Sequence, residues 1–154
     1  MNLLYKQAEE KDIEAMHNLV LKVFDAFVAP NYIEEGNQEF YKYLDQKAIE
    51  TRLENNHFIF LCKDQENIVG LIEVRNFNHI SMLFVQANYQ RKGIAKELLR
   101  KALEICKVHN AELKEVSVHS SPNSVAIYEK LGFVKTKEEQ EINGIRFIPM
   151  VRKM

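Results

Sequence analysis

The stretch from His79 to Cys106 constrains this chain most, because its hydrophobic period changes once, across a single glycine. His79-Ile80-Ser81-Met82-Leu83-Phe84-Val85 is short and mostly apolar, with β-formers at Ile80, Phe84 and Val85, as in a strand buried on both faces. From Ile94 the period lengthens: Ile94, Leu98, Leu99, Ala102, Leu103 and Cys106 share one face of a 3.6-residue helix. Between strand and helix stands Gln90-Arg91-Lys92-Gly93-Ile94-Ala95. A glycine and a small residue let the backbone come close to a ligand. The free N–H groups of a helix's first turn attract anions. Arg91 and Lys92 add positive charge at the same place. The stretch therefore predicts a phosphate site at a helix N-terminus. It is not a P-loop, because it lacks the Gly-Lys-Ser/Thr ending of one.

The rest of the chain supplies the partners of this unit. Leu3 to Gln7 reads as a first strand. Ile13, Met16, Val20, Val23, Phe24 and Phe27 mark an amphipathic helix from about Asp12, ended at Pro30-Asn31. Asn31 to Asn55 predicts one or two short helices, with Gly36 as an interruption. Here Tyr32, Phe40, Tyr41 and Tyr43 mix with Glu34, Glu35, Glu39, Asp45 and Glu50, which reads either as a solvated acidic face or as a lip suited to a cationic amine. His57 to Lys63 and Ile68 to Val74 are strands on either side of a polar turn, and Leu113 to His119 is a later strand. Pro122 and Asn123 open a short helix that Gly132 ends, with Asn123 as a candidate cap. Phe133 to Glu138 and Ile145 to Lys153 make a last antiparallel pair, with the hairpin signal Asn143-Gly144 in their connection.

Two blocks carry a family resemblance. Gln90-x-x-Gly93-x-Ala95 after Val85 resembles the acyl-CoA signature of the GNAT superfamily of N-acetyltransferases. Asn123 to Phe133, with Tyr128 ahead of Leu131-Gly132-Phe133, resembles the superfamily's second recurrent block, in the family's order and at about its spacing. The resemblance covers nearly the whole chain. It implies one domain over residues 1–154: a mixed, mostly antiparallel α/β sheet of about seven strands, splayed between the fourth and fifth strands, with helices on both faces. The fourth and fifth strands would be Ile80–Val85 and Leu113–His119.

It further implies an acyltransferase that moves the acetyl group of acetyl-CoA to a primary amine of a small molecule or peptide by direct attack in a ternary complex. The backbone of Arg91, Lys92, Gly93, Ile94 and Ala95, with Gln90, would hold the pyrophosphate. Leu83, Phe84 and Val85 would line the pantetheine arm, and Asn123 would orient it. Tyr128 would protonate the departing thiolate. No acid stands at Ser81 or Met82, where many relatives carry one, so the general base is left among Glu73, His79, His119 and water. Acetylation of a protein N-terminus or lysine, and a non-catalytic CoA-binding regulatory module, are the alternatives.

Composition sets the outer bounds. The 154 residues, 46% of them hydrophobic, suffice for one sizeable core. A formal net charge of −1 gives no footprint for nucleic acid. No apolar run has the length of a membrane span, and the N-terminus lacks a signal-peptide core, which suits a cytoplasmic protein. Cys62 and Cys106 lie in apolar patterns, as reduced, buried residues do. His17, His57 and His109 lack metal-ligand spacing, so no metal is expected. A homodimer is admitted.

Overall fold

A computed structural model describes residues 2–154. Its centre is one twisted sheet. Strands β1 (Leu3–Gln7), β2 (His57–Asp64), β3 (Asn67–Arg75) and β4 (His79–Val85) form an antiparallel run. β5 (Glu115–Ser120) joins β4 in parallel, and β8 (Ile145–Lys153) lies antiparallel to β5. β6 (Val134–Lys135) and β7 (Gln140–Ile142) pair with opposite halves of β8. The sheet thus has eight strands, one more than the sequence predicts, because the chain leaves β8 after Lys135 and returns at Gln140.

Helices cover both faces. On one side lie α1 (Ile13–Phe27), α2 (Glu34–Leu44) and α3 (Gln46–Leu53). They pack Met16, Val20, Leu44 and Ile49 against Ile59, Leu61, Leu71 and Met82. On the other side α4 (Ile94–His109) and α5 (Val125–Lys130) pack Leu98, Ala102, Cys106 and Tyr128 against Cys62, Ile72, Ile80 and Val118. α1 follows a 3-10 turn at Glu10–Asp12, closed by a capping box in which the Glu9 amide donates to Asp12 Oδ2 at 2.9 Å.

Two details position the site. β4 and β5 pair only at His79–Ser117 and Ile80–Val118, then diverge, so the later part of β4 turns an unpaired edge to the gap. β4 also carries a bulge: Met82 pairs with Glu73 and Ile80 with Val74, which leaves Ser81 without a partner. The extra residue puts Ile80, Leu83 and Val85 on the α4 face, and Met82 and Phe84 on the α1–α3 face.

Two sequence expectations need correction. Gly36 does not interrupt a helix; it is buried inside α2, where its backbone touches Gly144 at the tip of the β7–β8 hairpin. The break between α2 and α3 falls at Asp45, whose carboxylate caps α3 through the Ala48 amide at 3.1 Å. Asn123 is not a helix cap. Pro122 first turns the chain through one 3-10 turn (Pro122–Ser124), α5 begins at Val125, and the Asn123 side chain is exposed.

Candidate active site

The loop before α4 is built around two left-handed residues, Arg91 at φ 62° and Gly93 at φ 83°. A Cβ on Gly93 would meet nothing within 4 Å, so glycine is needed there for its backbone angle, not for space. Such turns gather successive N–H groups into an anion-binding concavity. Among the described residues, the amides from Arg91 to Lys96 donate to no protein acceptor, and the first helical amide with a partner is Glu97, to Gly93 O at 3.1 Å. Arg91 and Lys92 are exposed beside them, and among the described residues neither is paired with an acid. Gln90 ties this loop to the end of β4: its side-chain amide donates to Val85 O at 3.0 Å.

Past Ile80, the divergence of β4 from β5 opens a cavity of about 410 Å³. One wall is Ser81 to Phe84 of β4, and the opposite wall includes Val118, His119 and Ser121. Tyr128 reaches the cavity from α5 although only 7% exposed. Its ring meets Phe133 edge-on at 5.4 Å, and its hydroxyl has no hydrogen-bond partner among the described residues. Burial pushes its pKa above the ordinary phenol value, so it stays protonated far into the alkaline range. Leu83 and Phe84 line the cavity, while Val85 leads from it to the cradle. Asn123 does not line it. Ser121 and Ser124, joined at 2.9 Å, stand there instead.

The three base candidates separate clearly. Glu73 is fully buried on β3 and committed to partners. Arg52 grips it with Nε at 2.8 Å and Nη2 at 3.1 Å, and His57 Nδ1–H donates at 2.7 Å. Breaking such a buried pair costs about 3–5 kcal/mol, so Glu73 holds α3 to the sheet and is a poor base. His79, 8% exposed, is hydrogen-bonded through Nδ1 to Ser117 Oγ at 2.8 Å. Burial, then the charges of Arg75 and His119, pull its pKa down to about 4. His119 is exposed on the cavity wall, stacks on Phe147 at 4.4 Å, and has no hydrogen-bond partner among the described residues. Burial and then Arg75 lower its pKa below the usual histidine range, so it is neutral at pH 7 and able to take a proton.

The aromatic, acidic segment is mostly structural. Phe40 stacks on Phe24 at 4.1 Å, Tyr41 donates to Asp25 at 2.6 Å, and Tyr43 lies under the Arg52 guanidinium at 3.6 Å. Of its five acids only Glu39 reaches the cavity wall, and Lys42 stands 3.3 Å from it. The roof of this end is the β7–β8 hairpin. Asn143 and Gly144, at φ 53° and 81°, make its two-residue turn, and Tyr32 donates to Arg146 O at 2.9 Å.

A loop of amides without protein acceptors follows a splayed strand, and a cavity lies in the splay, an arrangement compatible with an acyl-CoA-dependent acyltransferase. The model of the acetyltransferase (GNAT) domain matches residues 28–154, and the chain belongs to that family, as an acetyl-CoA-dependent N-acetyltransferase. Solved structures agree on the fold. A GCN5-related N-acetyltransferase from Rhodopseudomonas palustris superposes with a TM-score of 0.82 at 17% identity, over 100% of this chain and 97% of that one. The PaiA N-acetyltransferase from Thermoplasma acidophilum, in complex with coenzyme A, gives 0.81 at 19% identity over 100% of both chains. The dodecameric spermidine N-acetyltransferase from Vibrio cholerae gives 0.64 at 22% identity, over 99% of this chain and 94% of that one. No helix among the described residues is long and apolar enough to cross a membrane.

Proposed function

We propose that this protein transfers the acetyl group of acetyl-CoA to a primary amine of a small molecule or peptide, by direct attack with both substrates bound. The observation that carries the reading is the cavity in the β4–β5 splay, which brings a protonated phenol, Tyr128, and an unengaged imidazole, His119, to the walls of one space. The residues present suit the cosubstrate. Unpaired amides from Arg91 to Lys96, with Arg91 and Lys92, match a pyrophosphate. The open edge of β4 past Ile80 offers backbone partners to an amide-bearing arm. Acetyl-CoA supplies an activated carbonyl with a thiolate leaving group.

The chain's own residues then divide the work. The cradle anchors the cosubstrate far from the reacting carbonyl, so its binding energy goes into orientation. The β4 backbone around the Ser81 bulge offers an N–H donor to the oxygen that gains charge. His119 accepts a proton from the ammonium form of the acceptor, which frees the nitrogen lone pair for attack. As the C–N bond forms and the C–S bond breaks, the Tyr128 hydroxyl gives its proton to sulfur. The second proton leaving nitrogen replaces it, directly or through water, so one proton is released per turnover. The test is thiol release from acetyl-CoA across polyamines, amino acids, aminoglycosides and short peptides, with mass spectrometry of the products. Acetylated amine supports the proposal; bound acetyl-CoA that no amine discharges contradicts it.

A further inference from the structure

The acceptor end of the cavity has an electrostatic character that the sequence did not suggest. Arg75 ends β3, pairs across the strands with His79, and lines the cavity. Among the described residues its side chain forms no ion pair and donates no hydrogen bond; Arg52, Arg100 and Arg146 each hold a carboxylate, and Arg91 and Arg152, which form no ion pair either, do not line the cavity. It does not belong to the phosphate cradle. β4 runs from His79 to Val85 between them, and a strand rises about 3.3 Å per residue, so the two lie roughly 20 Å apart. Its field reaches both imidazoles: after burial, Arg75 is the charge that lowers His79 and His119. The one acid on the wall, Glu39, is already paired with Lys42. A polycation would bring several charges to a place that offers it one shared carboxylate and an opposing guanidinium.

We propose that the acceptor carries a carboxylate near its amine, as an amino acid does, and that Arg75 binds this carboxylate at the mouth of the cavity. The inference rests on the acetyl-transfer reading above and names its substrate class. A guanidinium matches a carboxylate with two parallel N–H donors, a geometry that an ammonium cannot reproduce. Holding the carboxylate at Arg75 keeps the amine beside His119, on whose proton uptake attack depends. Arg75 is thus a specificity residue and takes no part in bond making.

The experiment measures kcat/KM with acetyl-CoA for α-amino acids, their carboxamides and the amines lacking the carboxyl group, with spermidine alongside. Wild type is compared with Arg75→Gln and Arg75→Lys, and acetyl-CoA binding is followed by calorimetry. A carboxamide also has a more acidic amine than its parent acid, so the decisive quantity is the acid-to-amide ratio of wild type divided by that of the variant. A charge-assisted pair of hydrogen bonds at a partly exposed site is worth roughly 10- to 100-fold. The acid-to-amide ratio itself should fall by this factor in Arg75→Gln and recover in part in Arg75→Lys. An unchanged ratio overturns the inference. So does a wild type that prefers spermidine or the amine lacking a carboxylate, and both results leave acetyl transfer standing. Bound acetyl-CoA with no amine acetylated also overturns it. Absence of acetyl-CoA binding removes the transferase reading itself and the inference with it.

Discussion

Gly36→Ala is the substitution whose outcome the structure decides against helix propensity. Gly36 lies inside α2, and alanine in an exposed helix interior is more stable than glycine by about 1 kcal/mol. The packing points the other way. A Cβ on Gly36 would overlap the carbonyl oxygen of Gly144 and stand 2.7 Å from its carbonyl carbon, where about 3.5 Å is ordinary. The atoms it meets are backbone, so no side chain can swing aside. α2 and the hairpin must part by about 1 Å. Overpacking of this kind costs about 1–3 kcal/mol, which exceeds the propensity gain. The hairpin also roofs the acceptor end through Asn143 and Ile145. A 1 Å misplacement can cost on the order of 10²-fold in rate. Urea denaturation should therefore show Gly36→Ala destabilised. Steady-state kinetics should show acceptor kcat/KM down by 10- to 100-fold, with KM for acetyl-CoA nearly unchanged, because the cradle lies at the far end of β4. A variant that is more stable than wild type and equally active would refute the contact and the role of the roof.

Three further outcomes are expected. Tyr128→Phe keeps the ring against Phe133 and removes the proton, so kcat should fall about 10²-fold with stability and acetyl-CoA affinity preserved; retention of most activity would reduce Tyr128 to packing. His119 takes its proton only while neutral, so log kcat/KM should steepen as pH falls through its lowered pKa, where the imidazole becomes protonated beside an amine that already is; His119→Gln should lose that steepening, and a profile of the same shape would assign the base to water. His79, at about 4 in the folded protein against 6.5 unfolded, costs nothing above pH 6.5, but below it the unfolded chain takes up a proton that the native one refuses. Stability should fall by about 3 kcal/mol between pH 6.5 and 4 on this account, and denaturant titrations of His79→Gln should lack that part of the fall.

Much of this was legible from residue pattern alone, and the reasons differ by region. The β4–α4 unit stood out because its period changes at a glycine, and the structure has that glycine at a positive φ. The Asn143-Gly144 turn was equally plain, since only residues tolerant of left-handed backbone fit both positions. The bulge at Ser81 could not be read, because β4 is apolar on both faces and no alternation marks the register. Gly36 misled for a related reason: a glycine that admits another backbone and a glycine that breaks a helix look identical in one dimension. Tyr128 was singled out through its block, and its side chain lines the cavity. The cap reading of Asn123 failed, because Pro122 opens a 3-10 turn and α5 begins only at Val125. Arg75 carried no sequence signal at all; what marks it is a place on the cavity wall with a side chain that has no partner among the described residues. The acids from Glu34 to Glu50 looked like a lip because sequence cannot tell a carboxylate that caps a helix, as Asp45 does for α3, from one that faces a cavity.

The account depends most on the amide cradle, and a calorimetric titration of acetyl-CoA into wild type and Gly93→Glu tests it directly. Space is open at Gly93, so the variant should fold, with only the strain of a side chain at φ 83°. The new carboxylate would stand where phosphate charge is expected. The prediction is one equivalent of acetyl-CoA bound by wild type and none by a folded Gly93→Glu. Equal affinity in the two proteins would place the cosubstrate elsewhere and contradict the account.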